Sequence, residues 1–296
     1  MGRNESVRSF IVSKFKRLIV PFWVYAWMCL GMKIVMQRFR IGDITLRVLF
    51  HSLIPSNGCG VNDALWFLIV SFEALVIHGV LLRLVRRLLL LYLAIAFAMT
   101  CMGIIIGTGH LPFLYLNTVL TSSIFIAVGF ASAKYLLAEE KIPIVNLCLA
   151  LLGLSCVTVA CFFLEKPDLH LNILSQFPAL WMVVAILGSF SVILISKILA
   201  NVNTLNHMLS WFGRYSLPFV GLQYLNFLAF HLFYKVRLLL FRNIDFHPSF
   251  QFSAMFFIAV LMDLAMIVSF KKIASILRME AYLPILGIPV STKSNE

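Results

Sequence analysis

The sequence is poor in charged residues and lacks the common signatures of soluble enzymes. Only 12% of its 296 residues are Asp, Glu, Lys or Arg, whereas 61% are hydrophobic. It has no G-x-S-x-G segment and no Gly-rich phosphate loop, which argues against a soluble hydrolase or a phosphate-loop nucleotide-binding protein. Its six cysteines and seven histidines form no C-x-x-C pair and no cluster with zinc spacing. We therefore expect no metal site.

Long polar segments are also scarce, because continuous apolar stretches fill most of the chain. A bilayer core of about 30 Å requires a helix of roughly 20 apolar residues, and eight stretches approach that length. Their apolar residues do not alternate with polar ones, which favours helices over barrel strands. We therefore predict an all-α polytopic membrane bundle of about eight spans, near Leu18–Met36, Ala64–Leu82, Leu88–Ile106, Tyr115–Leu136, Ile144–Leu164, Phe177–Leu199, Leu217–Phe233 and Phe250–Phe270.

Acidic residues are the scarcer charge. The chain has 12 Asp and Glu against 24 Lys and Arg, which gives a net charge of +12. The basic residues lie in short loops beside the apolar stretches, as in membrane proteins, so we expect no nucleic-acid partner. Numbering the loops alternately places 16 basic residues on one side and 8 on the other. Since basic loops stay in the cytoplasm, both termini are predicted to be cytoplasmic.

A few polar residues interrupt the apolar stretches. Glu73 lies in the second stretch on the same helical face as Trp66, and Asp263 lies in the middle of the last one. Ser216 and Gln223 share a polar stripe in the seventh. Such residues often form interhelical hydrogen bonds that hold a bundle together. For Glu73 a functional role is favoured, because an ionisable carboxyl group is costly inside a membrane.

Three segments, in this order, resemble the acyltransferase 3 family of integral membrane O-acyltransferases, which includes fucose 4-O-acetylase-like proteins. They are KFKRLIVPFW at 14–23, ALWFL at 64–68 and FGRYSLPF at 212–219. The resemblance implies transfer of an acyl group, usually acetyl, from acyl-CoA to a hydroxyl of a sugar or glycan lipid. It also implies acyl-CoA as co-substrate without a bound cofactor, and a place in the bacterial inner membrane among its lipids.

Basic residues of the first segment suit the phosphates of coenzyme A. Lys14 and Arg17 lie at the predicted cytoplasmic end of a span, and Arg can bind a phosphate through two parallel hydrogen bonds. Arg17, four residues before Pro21, matches the family segment best. For Lys14 an equally good interpretation is a positively charged membrane anchor. With these two residues, Trp66, Glu73, Ser216 and Gln223 complete the candidate acyl-CoA or substrate-binding set.

The chain also differs from the family pattern. Family members typically begin with two further spans, the first of which carries a histidine thought to act as general base. The catalytic residue of this chain is therefore unknown, and we expect a truncated form, a late or disrupted start, or a degenerate member. Gln223 stands where many members carry histidine, and an amide cannot take up a proton at neutral pH.

The domain prediction is a basic cytoplasmic segment at 1–17, one transmembrane acyltransferase-like domain at 18–283 and a cytoplasmic tail at 284–296. Two functions remain open beside that of an enzyme. One is a non-catalytic remnant of the same family. The other is a polytopic secondary transporter, which would hold charges such as Glu73 in the membrane but would show repeated halves, and none is evident.

Overall fold

Helices dominate the computed structural model, which describes residues 6–36, 65–85, 88–107, 115–136, 144–165, 167–169, 172–174, 176–222 and 248–289. Within these ranges the α-helices are α1 (Val7–Met36), α2 (Trp66–Leu84), α3 (Leu89–Ile106), α4 (Leu116–Leu136), α5 (Ile144–Phe163), α6 (Pro178–Ala200), α7 (Asn203–Arg214), α8 (described over 216–222) and α9 (Pro248–Ile276). A 3-10 helix, Glu280–Leu286, follows α9. The described residues contain no β-strand, only an isolated bridge between Asp168 and Ile173. The all-α prediction is confirmed.

Among the described residues, four helices are long and apolar enough to cross a membrane. They are α2, α3, the Leu116–Ala133 part of α4, and α6. The apolar part of α5, Leu147–Phe163, is shorter. The protein is therefore an integral membrane protein, and the count of eight spans stays a prediction. The residues of the seventh predicted span beyond 222, including Gln223, lie outside the described ranges.

The first helix begins well before the predicted span. Ser6 Oγ accepts a hydrogen bond from the Ser9 amide at 3.1 Å, which satisfies one of the free N–H groups at the start of α1. The helix continues through Pro21 to Met36, so the basic segment around Lys14 is helical. Lys14 and Arg17 are three residues apart and hence lie on the same side of α1.

The chain divides into two compact units. Unit 1 comprises Met1–Ile11 and Val70–Trp211, and unit 2 comprises Val12–Ile69 and Phe212–Glu296. In unit 1, α3 packs closely on α4 where Gly103 meets the backbone of Thr121. Helices α5 and α6 approach closely in the same manner, with Gly153 against Ser191. Small residues at such points let helix backbones come together, as is common in membranes.

A loop residue completes the C-terminal end of α3. Asn172 lies in the connection between α5 and α6 and is only 1% exposed. Its Nδ2 donates to the carbonyl oxygens of Gly103 at 3.1 Å and Gly107 at 2.8 Å. At this helix end the Gly103 carbonyl also accepts from the Gly107 amide at 3.1 Å, and the Gly107 carbonyl also accepts from Asn117 Nδ2 at 3.3 Å. The loop is thereby tied to the helix end by its side chain.

Unit 2 is held together around Tyr25 of α1. The Tyr25 hydroxyl donates to the Leu286 carbonyl at 2.6 Å, and its ring packs against Gly221 of α8. Gly287, which adopts φ 68°, ends the 3-10 helix and packs against Leu217. The segment after α9 therefore packs into the unit up to Ile288, which is 1% exposed.

Candidate functional site

The basic candidates of α1 lie in unit 2 on one side of the helix. Lys14 is half-buried and Arg17 is exposed. Arg8, in the second residue of the same helix, is also exposed and lies nine residues before Arg17, half a turn away around the helix axis. Arg8 is thus a second exposed arginine on the opposite side of α1, and it provides a matched control for substitutions of Arg17.

A second group of basic residues lies where α8 begins and α9 ends. Lys271 of α9 donates a hydrogen bond to the Tyr215 hydroxyl, and its Nζ lies 4.9 Å from the centre of the Tyr215 ring. A cation near an aromatic ring is attracted to its face. Arg214 precedes Tyr215 and Lys272 follows Lys271 in the chain, so this contact places three basic residues, here called the basic end, in one region: Arg214, Lys271 and Lys272. Arg278 follows shortly after α9. Ser216 follows Tyr215 directly and is exposed.

About two turns further into unit 2, two polar side chains lie near Tyr25. Asp263 of α9 is 4% exposed and lies within electrostatic reach of the Tyr25 hydroxyl. Cys29 is 2% exposed, and its thiol donates to the Gly221 carbonyl at 3.9 Å. Of these, only Asp263 was singled out from the sequence. Tyr25 has no sequence signal of its own, because an aromatic residue in an apolar run is typical of a core.

The Glu73 side chain is buried. It lies in α2 and is 9% exposed, and neither carboxyl oxygen has a hydrogen-bond partner among the described residues. Trp66, two turns earlier on the same side of α2, is half-buried and contacts Phe67 edge to face at 6.2 Å. The two share one helix face, as predicted, but Glu73 belongs to unit 1 and Trp66 to unit 2. A buried carboxyl group without a partner is costly, which is typical of a functional position.

A second polar pair in unit 1 joins α2 to α3. His78 is 2% exposed, and its Nδ1 lies 2.9 Å from the Tyr92 hydroxyl. No described residue hydrogen-bonds the other ring nitrogen, Nε2. Tyr92 also packs edge to face against Phe130 of α4 at 5.7 Å. Tyr92 also belongs to a buried hydrophobic cluster with Val85, Ala96 and Ala127.

The described residues offer no site for a metal ion, since they contain no group of three or more His, Cys, Asp or Glu side chains suitable for one. The six candidates of the sequence analysis are distributed as follows. Lys14, Arg17, Trp66 and Ser216 lie in unit 2, Glu73 lies in unit 1, and Gln223 lies outside the described residues. Their roles stay predictions.

Comparison with known proteins identifies the family of this chain. The family model described as an acyltransferase domain matches residues 1–270, which is most of the chain. No curated protein and no solved structure matched. The match includes all three segments on which the resemblance rested, and it agrees with the helical, membrane-spanning fold. The chain therefore belongs to the acyltransferase 3 family of membrane proteins.

Proposed function

We propose that this protein transfers an acyl group, in the first instance acetyl, from acyl-CoA to a hydroxyl group of a sugar or cell-surface glycan. The observation that carries the proposal is the family match over residues 1–270. In the proposed reaction the acceptor oxygen forms an ester bond with the acyl carbon, and the thioester C–S bond breaks. The hydroxyl proton is taken up by a base and ends on the coenzyme A thiol.

Arg17 is the residue that we propose for donor binding. Arg17 is exposed on α1, so its guanidinium group is accessible to a ligand from the water phase. The planar group presents two parallel N–H donors to one phosphate, whereas the ammonium of Lys14 acts as a point charge. Lys14 would then attract the coenzyme A phosphates by its charge, and Arg17 would orient one phosphate through two parallel hydrogen bonds.

The arrangement of unit 2 supports a shared basic surface. Tyr25 of α1 contacts Gly221 of α8 and lies close to Asp263 of α9, so these three residues lie at about the same depth along their helices. At 1.5 Å per residue, Tyr215 lies about 9 Å from that level along α8 and Lys271 about 12 Å from it along α9. Arg17 lies about 12 Å from Tyr25 along α1. With both termini on the cytoplasmic side, as the charge distribution predicts, Arg17 and the basic end would occupy the same depth.

Glu73 is proposed to meet the acceptor. Its two carboxyl oxygens are available for hydrogen bonds from hydroxyl groups, because no described residue bonds them. Sugars are rich in hydroxyl groups, so a carboxyl group with unbonded acceptor oxygens matches their chemistry. Trp66 stays a separate candidate for substrate binding.

Acetyl transfer from labelled acetyl-CoA tests the proposal. Membranes are prepared from cells that express the gene with its native upstream sequence, and candidate glycans are supplied as acceptors. We expect base-labile acetyl esters on a glycan. Arg17→Ala should lower the rate at low acetyl-CoA concentration by about 10–100-fold, the loss of one bidentate phosphate contact. Arg8→Ala should retain the rate.

Two results would contradict the proposal. If no glycan acquires label although the protein is present and folded, a non-catalytic relative is the better description. If Arg8→Ala and Arg17→Ala slow transfer equally, the effect is a general loss of positive charge near the membrane, and Arg17 has no specific place in donor binding.

A further inference from the structure

Helix α7 begins where a membrane span ends. The span α6 finishes at Ala200, and α7 starts at Asn203 after a two-residue connection. At 12 residues, α7 is about 18 Å long, too short to cross a hydrocarbon core of about 30 Å. Its starting point is therefore at the boundary between the bilayer and water.

This helix has two chemically distinct faces. Leu205, Met208, Leu209 and Phe212 occur at intervals of three and four residues, which places them within one 100° arc. The opposite arc contains only polar side chains: Asn203, Asn206, His207, Ser210 and Arg214. Trp211 and Thr204 lie on the flank between the two faces. Tryptophan is enriched at this position in membrane proteins, because its ring is apolar and its N–H is polar.

The apolar face is left exposed by the protein. Leu205, Met208 and Leu209 are 38%, 50% and 47% exposed. Every residue from 201 to 210 is exposed. Phe212, at the end of the face, contacts Phe219 of α8 at 5.8 Å and is still 38% exposed. Water is an unfavourable neighbour for such a face, and the bilayer to which α6 leads is the nearest apolar phase.

The charge of this region fits an anionic surface. No Asp or Glu occurs between Asp168 and Asp245, a range that includes the whole of α6 and α7. Lys197 lies in the last turn of α6 and Arg214 in the last turn of α7. Basic residues beside an apolar helix face attract the negatively charged lipid headgroups of a membrane.

We propose that α7 lies in the plane of the membrane interface, with its apolar face in the boundary between headgroups and acyl chains and its polar face toward water. Anionic lipids are the partner that its chemistry fits. Because Tyr215 and Ser216 follow α7 directly, the helix holds the start of α8 at headgroup depth. The inference concerns the membrane surface and is independent of the proposed reaction.

Labelling with a water-soluble maleimide tests this arrangement. Leu209→Cys and His207→Cys are made separately in the full chain. Each variant is reconstituted at one protein per nanodisc, in nanodiscs that contain phosphatidylglycerol. Peptide mass spectrometry reads each position separately, so the six native cysteines remain in place. We expect Leu209→Cys to react at least about tenfold more slowly than His207→Cys, since only the apolar face would be inaccessible to water.

A lipid-free sample in amphipol tests whether lipid is what protects α7. In amphipol, peptides from 203–214 of the unsubstituted chain should exchange their amide hydrogens several-fold faster than in the anionic nanodisc. Equal labelling of the two cysteine variants in nanodiscs would overturn the proposal, because the helix would then be solvated all round. Equal exchange in amphipol and nanodisc would also overturn it, because the protection of α7 would then not depend on lipid. The exchange measurement needs no substitution and so stands even if a variant does not fold.

Discussion

Replacing Gly103 with alanine is expected to loosen the packing of α3 against α4. An added Cβ would lie 2.9 Å from the Leu120 carbonyl carbon and also against the backbone nitrogen of Thr121, whereas ordinary contacts are 3.4–4 Å. Backbone atoms cannot rotate away, so the helices must separate. One turn away, Thr100 Oγ1 accepts from the Ile124 amide at 3.0 Å, and this bond would lengthen.

The magnitude follows from opposing effects. Overpacking costs about 1–3 kcal/mol, and weakening a hydrogen bond adds about 0.5–1 kcal/mol. Alanine recovers up to about 1 kcal/mol through its higher helix propensity. Gly103→Ala should therefore destabilise the protein by about 1–3 kcal/mol, which lowers the unfolding temperature in detergent by roughly 3–8 °C.

Gly129→Ala is the matched control for this measurement. Gly129 lies in α4 as well, but an added Cβ there meets no atom within 4 Å. We expect an unchanged or slightly raised unfolding temperature, because only the propensity gain remains. Equal behaviour of the two variants would refute the close contact at Gly103, and with it the stated packing of α3 on α4.

Three other changes test separate parts of the structure. Tyr25→Phe removes the hydrogen bond to the Leu286 carbonyl and should cost about 0.5–1.5 kcal/mol in thermal unfolding; an unchanged stability would contradict that contact. Asn172→Gly keeps the backbone φ of 53° but removes one side-chain donor from the Gly103 and Gly107 carbonyls, so amide exchange near the end of α3 should accelerate, whereas unchanged exchange would count against the cap. Reporter fusions at Ser294 and in the loop near Lys166 should report opposite sides of the membrane, and finding both on one side would refute the predicted topology.

Span positions could be predicted from the sequence because the length of an apolar run is set by the bilayer itself. The second stretch was placed at Ala64–Leu82 and forms Trp66–Leu84, and the third was placed at Leu88–Ile106 and forms Leu89–Ile106. Two elements were missed, helix α7 and the 3-10 helix Glu280–Leu286. Helix α7 is only 12 residues long and does not cross the membrane, so an apolar-run criterion passes over it. Its three- and four-residue spacing of apolar side chains would have revealed it.

The candidate site was less accessible to sequence reasoning. Glu73 stands out because a carboxyl group in an apolar run is rare, and its burial agrees with the expectation that it does not face lipid. The pairing of Lys271 with Tyr215 joins residues 56 positions apart, and that of Tyr25 with Leu286 joins residues 261 positions apart. Contacts at such separations depend on how helices pack, and one sequence contains no signal for them.

Donor binding by residues 1–296 tests the central claim, that this chain holds an acyl-CoA at Arg17. Acetyl-CoA and acetyl-pantetheine differ in the nucleotide and its phosphates, so their affinities are compared by calorimetry in nanodiscs. We expect acetyl-CoA to bind at least about tenfold more tightly, with Arg17→Ala removing most of the difference and Arg8→Ala preserving it. Equal affinity of the unsubstituted chain for the two compounds, or equal losses in the two variants, would contradict the account.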